Sequence, residues 1–326
     1  MPLPSPTRRA ALLLAGAAAL APRAARAANL EWAAGSIGGS WFTIVSGLAN
    51  LVTEADPGLT FRVVPGGGRD NPSKVEAGVS QIAMGIDFLA AAAFKGTEPY
   101  RSRHEKLRSL GGGWAPAQFH IFGPKDGPDD LREILSRPRL RIGTTPRATS
   151  EELTLRRALA FYGSSEEKLR ANGGTFAPLE YSEIVGAFGD NRIDFVWGAA
   201  SIPSSLATEI ASGRRPAKLL AMPSDLQEHL QTTFGYGRDV IPAGSYPTLQ
   251  SGPVSVTSLE AVILTSRDVP EDVIFRVTHA LIAQRARFPA VHAVLANYDP
   301  RRHWRDQPVP LHPGAERAYR EGGFMT

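Results

Sequence analysis

The chain has 326 residues, with 36 Lys and Arg against 32 Asp and Glu, and no cysteine. Without cysteine there are no disulfides, thiolate metal ligands or cysteine nucleophile, so packing must hold the fold. The positive excess lies in the first 27 residues, which hold Arg8, Arg9, Arg23 and Arg26 and no acid, so the remainder has 32 of each sign; with no basic stripe left, nucleic acid is not an expected partner.

In chain order, Met1–Ala27 is read as an export signal. Thr7-Arg8-Arg9 is its charged start, Ala10–Leu20 its apolar run, and Ala25-Arg26-Ala27 has the small-x-small form of a cleavage site. The expected location is periplasmic, with cleavage near Ala27/Ala28. Both the twin-arginine and the general export routes fit, since Ala11 stands where the former prefers a larger apolar residue. The apolar run falls short of the roughly 20 residues that span a bilayer, and no stable membrane insertion is expected. The 299 residues after Ala27 exceed what one core usually covers, which points to two lobes with a cleft between them.

Residues 29–123 repeat a short apolar run, a glycine-rich turn and a helix. Ile44, Val45, Leu48, Leu51, Val52 and Ala55 fall at helical spacing, and Asp56-Pro57-Gly58 ends the run. Leu59–Val64 alternates as a strand, then Pro65-Gly66-Gly67-Gly68 leads into Asn71-Pro72, a suitable N-cap and first helical residue. Gln81–Ile86 is a third strand; Asp87 opens an Ala-rich helix that ends near Gly96; Leu107–Leu110 and Phe119–Phe122 are further strands. The alternation restarts with an expected helix at Asp129–Ser136, strand at Leu140–Ile142, helix at Glu151–Tyr162 and strand at Ile193–Trp197. The last block predicts a strand at Ala261–Thr265 and helices at Pro270–Arg287, Val291–Tyr298 and Glu316–Glu321. This order predicts an α/β protein with mostly parallel sheets, in which 28–119 plus 257–326 form a first lobe and 120–256 an inserted second lobe.

Three strand-to-helix turns carry the functional reading: Gly35-Ser36-Ile37-Gly38-Gly39-Ser40-Trp41, Gly66-Gly67-Gly68-Arg69-Asp70-Asn71, and Gly143-Thr144-Thr145-Pro146-Arg147-Ala148-Thr149-Ser150. Such a turn presents unpaired N–H groups and the positive end of a helix dipole, for which an anion is the natural ligand. Each turn alone is also what a tight connection requires. None ends in the Gly-Lys-Ser/Thr of a phosphate loop or has the dinucleotide fingerprint. Arg147 is a candidate to grip a carboxylate with two prongs, or a solvated turn residue. Asp87 is a candidate for a ligand ammonium, or a helix cap. Trp41 and Trp197 are candidates to pack on ligand carbons, or core residues.

The seven histidines are scattered, and no nucleophile elbow, His-Glu-x-x-His or metal-spaced cluster occurs. No catalytic residue, metal or cofactor is therefore expected. His312 is read as a structural residue leading into the last helix.

Together, Gly35–Phe42, Gly66-Gly67-Gly68 with Asn71 and Gly78, Ile241-Pro242-Ala243-Gly244-Ser245-Tyr246-Pro247 and Pro310-Leu311-His312-Pro313-Gly314-Ala315 resemble the TAXI family. These are the extracytoplasmic solute receptors of TRAP (tripartite ATP-independent periplasmic) transporters, and the resemblance spans 29–326. It implies a two-lobed periplasmic binding protein fold of type II with two hinge-crossing strands. It also implies a small carboxylate ligand such as glutamate, 2-oxoglutarate or a related organic acid, and a TRAP permease as partner. By the same resemblance Ser36, Gly39, Ser40 and Trp41, then Gly67 and Gly68, then Arg147 and Thr149 face the ligand. Two departures stand out: Pro65-Gly66-Gly67-Gly68 lacks a hydroxyl usual in the family, and Arg147 puts a charge where a hydroxyl is usual. A sensor's ligand-binding partner and an enzyme on the same fold are the contrasting classes.

Overall fold

The computed structural model describes residues 28–325; Met1–Ala27, expected from the sequence to be an export signal, lies outside the described residues. The chain builds two separate sheets. The first takes β1 (Ala28–Ala33), β2 (Leu59–Val64), β3 (Ile82–Ile86), β4 (Leu107–Gly112) and, from the far end of the chain, β12 (Ala261–Ser266). Its order is β2-β1-β3-β12-β4. β1 runs parallel to both neighbours, whereas β12 is antiparallel to β3 and β4.

The second sheet takes β5 (Ala117–Pro124), β6 (Arg141–Thr144), β7 (Thr175–Pro178), β8 (Phe195–Ala200), β9 (Ala217–Leu219), β10 (Gly237–Ile241) and β11 (Val254–Leu259). Its order is β10-β11-β5-β8-β6-β7, with β9 also on β5. Only the β6 pairings are parallel, so the sheets are mixed rather than mostly parallel. In the first sheet β12, which returns late in the chain, runs against its neighbours; in the second β5 runs against β8, β9 and β11. The chain crosses between the sheets twice, through 113–116 and through Glu260.

Each sheet is covered on both faces by core. In the first, Trp32, Met84, Trp114 and Ile263 share one cluster with Ile44, Leu48 and Val52 from the Ser40–Ala55 helix, while Ala33, Ala83, Val262 and Leu264 pack on the other face. This is the alternation of a strand read in three dimensions: neighbours in sequence go to opposite faces. Phe119, Ile142 and Trp197 form one core of the second sheet; Phe122, Val196 and Ile184 form the other. A fully buried side chain of this size contributes about 1.5–3 kcal/mol, which is how the fold holds without a disulfide.

Several expected ends shift by a residue or two. The helix expected at Asp129–Ser136 is Leu131–Leu135, because the Asp130 carboxylate accepts the Arg132 N–H at 2.9 Å and acts as the cap. The helix expected at Val291–Tyr298 does not form as such. Phe288–Val291 is a single turn with Pro289 in it, and Ala293–Asn297 winds as a 3-10 helix. The last helix, Pro313–Glu321, is capped by His312, whose Nδ1 accepts the Gly314 N–H at 3.2 Å.

Candidate functional site

The ends of β1, β2, β6 and β8 meet in the cleft between the two sheets, and a small, mostly enclosed cavity lies there. The first sheet supplies the β1 turn, with Gly35, Ser36, Gly39, Ser40 and Trp41, and the β2 turn, Gly66 to Gly68. The second supplies Thr149, Ser150 and Glu151 at the start of the Ser150–Phe161 helix, Tyr181 at the start of Tyr181–Gly189, and Ala199. Ala117 and Leu259 close the floor beside the two crossings.

Local sequence explains this convergence. Asn71 is fully buried: its amide donates to Ala34 O at 2.8 Å and to Met84 O at 2.7 Å, and its Oδ1 accepts the Gly67 N–H at 3.1 Å. One side chain thus ties the ends of β1 and β3 to the glycine turn. It stands inside its helix rather than at the N-cap. The Ser40–Ala55 helix has no side-chain cap, and the N–H groups of Ser40 and Trp41 meet no acceptor among the described residues. Trp41 Nε1 is also buried without a partner. The unpaired backbone N–H groups and positive end of this helix therefore lie at the lining of the cavity, an arrangement suited to a carboxylate oxygen.

The opposite wall differs. Among the described residues, Glu151 carries the only charged side chain on the lining. Its Oε2 accepts from Ser150 Oγ at 2.7 Å, and its Oε1 lies 3.0 Å from Tyr181 Oη. Burial pushes this carboxyl above its usual range, against the donors that favour the charged form. The lobes touch around the space: Ser205 Oγ donates to Gly38 O at 3.1 Å and Arg157 pairs with Glu98 at 2.7 Å.

Of the expected residues, Ser36, Gly39, Ser40, Trp41, Gly67, Gly68 and Thr149 come together on this lining. Thr149 is committed locally: its hydroxyl donates to Pro146 O at 2.7 Å and accepts the Glu152 N–H at 3.3 Å. Three expected residues lie elsewhere. Trp197 is fully buried in the second core, 5.7 Å from the Phe119 ring, because its position in β8 points into the sheet's packing face. Asp87 faces Glu260 in a separate depression and accepts the Phe88 N–H at 2.7 Å.

Arg147 lines an adjoining depression that shares Ser36, Gly66, Gly67 and Thr149 with the cavity, and its guanidinium is engaged in a charge network. Its Nη2 lies 2.7 Å from Glu166 Oε1, and its Nη1 lies 3.1 Å from Glu166 Oε2 and 3.2 Å from Glu152 Oε1. The two-pronged partner expected for it is thus the protein's own Glu166, to which Arg156 and Arg170 also bind. These hydrogen bonds, Arg147's foremost, hold the Glu166 carboxyl down to about 2. Sequence alone named Ser150 only as the end of the third turn and missed Glu151, Tyr181, Ala117, Ala199 and Leu259. Only Ser150 and Glu151 had a signal, as the first helical residues after the third turn.

This arrangement predicts that Arg147→Ala changes ligand affinity less than threefold, as surface substitutions typically do. Glu166→Gln, which leaves three arginines short of a charge, should cost about 2 kcal/mol of stability at neutral pH. A carboxyl held below its ordinary value stabilises above that value. The gap between Glu166→Gln and parent should therefore narrow as pH falls below the ordinary 4.5 towards about 2. Chemical denaturation of both variants across pH checks this, together with calorimetry of Arg147→Ala.

The sequence profile of the NMT1-like family matches residues 32–323. Among solved structures, the chain is similar to one described as a periplasmic transporter, with a TM-score of 0.51 at 13% identity over 91% of this chain and 93% of that one. It is also similar to MatC from Rhodopseudomonas palustris with bound malate, with a TM-score of 0.54 at 12% identity over 91% of this chain and 97% of that one. The two-sheet architecture is thus a periplasmic binding protein fold. Among the described residues no helix is long and apolar enough to cross a membrane.

Proposed function

The chain belongs to the NMT1-like family, and from that membership and the geometry of the cleft we propose that it is a periplasmic solute receptor of the TAXI kind, which captures a small organic carboxylate and delivers it to a TRAP-type permease. The observation that carries this reading is the enclosed space between the sheets, on which unpartnered N–H groups of the first lobe converge. In this reading Ser36, Gly39, Ser40 and Trp41 seat the carboxylate with Gly67 and Gly68, while Thr149, Ser150, Glu151 and Tyr181 close over it. Arg147 and Trp197 are framework, and Asp87 belongs to the crossing between lobes. Met1–Ala27 addresses the protein to the periplasm.

A ligand held only by the folded, closed form adds RT ln(1 + [L]/Kd) to stability, about 2.7 kcal/mol at a hundredfold excess over Kd. Small-angle scattering of the exported protein through a titration with small carboxylates tests this reading; saturable closure by one of them is expected.

A further inference from the structure

We propose that Glu151 sets the ligand class of this cavity: its carboxylate accepts from a protonated nitrogen on the ligand, so the protein selects a carboxylate that also carries a cationic nitrogen and rejects dianions. The inference rests on the receptor reading above and deepens it.

The two walls of the cavity ask for opposite chemistry. On the first-lobe wall, the Ser40 and Trp41 N–H groups and the Trp41 indole N–H are donors without acceptors among the described residues. They need an acceptor, and a carboxylate supplies one with negative charge at a positive helix end. On the second-lobe wall the charged group is a carboxylate, with no Lys, Arg or His on the lining to balance it.

Glu151 is not fully served by the protein. Ser150 Oγ donates to Oε2 at 2.7 Å. Tyr181 Oη lies 3.0 Å from Oε1, and nearer still, at 2.8 Å, to the Ala199 carbonyl, while the Thr145 hydroxyl, a further donor to this carboxylate, also lies 2.6 Å from Thr149 Oγ1. The Ala199 N–H in turn donates to Tyr181 Oη at 3.1 Å, so one lone pair is taken and a single proton faces two acceptors. The Tyr181 and Thr145 hydroxyls each have a competing acceptor, so the carboxylate shares its donors and, on the cavity lining, can take one more from a ligand. A buried carboxylate in that state is costly, and a ligand ammonium or other N–H cation relieves it directly. A second negative charge in the same closed space meets only repulsion there.

Pairs of ligands that differ only at this group isolate the effect: L-glutamate against 2-oxoglutarate, L-aspartate against oxaloacetate, and L-alanine against pyruvate. Calorimetric titration of the parent is expected to show at least tenfold tighter binding of the amino member in whichever pair fits the cavity, as for a hydrogen bond to a charged group. Glu151→Gln should erase that preference by weakening the amino member at least tenfold, while binding of the keto member stays level or tightens. Thermal melting no lower than the parent's certifies the variant's fold, and Glu151→Asp, which keeps the charge, should retain part of the preference. Equal or tighter binding of the keto acid by the parent, or a preference that survives Glu151→Gln, overturns the role of Glu151 and leaves the receptor reading standing. Failure of the folded parent to bind any member of the pairs overturns the receptor reading and this inference with it.

Discussion

Gly67→Leu is expected to leave the protein folded, with a melting temperature close to the parent's, and yet to weaken ligand binding about 30- to 150-fold. A Cβ at Gly67 meets Thr149 Cα at 2.9 Å and Ala148 O at 3.0 Å. These are backbone atoms of the opposite lobe, which cannot step aside as a flexible side chain would. The φ of Gly67 lies outside the left-handed region, so leucine is acceptable to the local backbone. Within the first lobe the turn stays tied by Asn71, whose contact is to the Gly67 N–H rather than to its α-carbon. The strain therefore falls on closure alone. Forcing extra atoms into a packed contact costs about 1–3 kcal/mol, and the upper half of that range corresponds to the stated loss of affinity. Apparent affinity falls by the fraction of molecules that can still close. Calorimetry reads this directly; unchanged affinity in a folded Gly67→Leu protein would mean that the lobes do not need to meet at this point.

The double substitution Asp87→Asn with Glu260→Gln is expected to stabilise the protein by about 2–4 kcal/mol at pH 8. Glu260 is the single residue between β11 and β12, and the Asp87 N–H donates to its carbonyl at 3.1 Å, so the two carboxyls are held beside the second crossing. Burial raises Asp87 to about 6; burial, then repulsion from Asp87, raises Glu260 to about 7. Arg302, His303, Arg305 and Asp306 line the same depression, without a hydrogen bond to either carboxyl among the described residues. Both acids titrate higher folded than unfolded, so the native state holds more protons, and stability is lost as pH rises from about 4 through 7. Each tenfold change in proton affinity is worth about 1.36 kcal/mol, so each group accounts for about 3 kcal/mol, and the half-buried amides that replace the carboxyls keep a desolvation cost of their own, hence the range. Asparagine at 87 still accepts the Phe88 N–H, so the helix start is preserved. Denaturant unfolding should show the gain at pH 8 and none near pH 4. A gain that persists at pH 4 would assign it to packing instead.

The two-lobe plan was legible where local chemistry is strong. Leu59–Val64 alternates at period two, Ile44 to Val52 recurs at helical spacing, and Asp87 to Gly96 carries its own start and stop; all three form close to those bounds. The β10 and β11 strands were not read. Gly237–Ile241 is an exposed edge with Arg238 and Asp239 in it, and Val254–Leu259 alternates valine with serine and threonine, a pattern that also suits a loop. The antiparallel arrivals of β5 and β12 depend on which strand each meets, and no local signal encodes that.

The candidate site divides the same way. The glycine turns were legible because their chemistry is local, and they supply the wall where donors are unpaired. What decides Arg147 is Glu166, in a separate helix whose approach nothing near Arg147 announces. An arginine at a turn beside an expected anion site is a sound candidate until a carboxylate of the chain itself occupies it. Tyr181 follows a strand that was not read, so nothing placed it near Glu151. Trp197 lies on the packing face of β8, and alternation within Phe195–Ala200 cannot say which face that is, since all six residues are buried.

The central claim is that a small carboxylate is enclosed between the two lobes. Small-angle scattering of the protein, followed through a titration with small carboxylates, tests it most directly. One of them is expected to bind saturably and to reduce the radius of gyration as the lobes close, while Gly67→Leu at the same ligand concentration stays expanded. Saturation by no carboxylate, or saturation with an unchanged radius from a free form shown to be open, would contradict it.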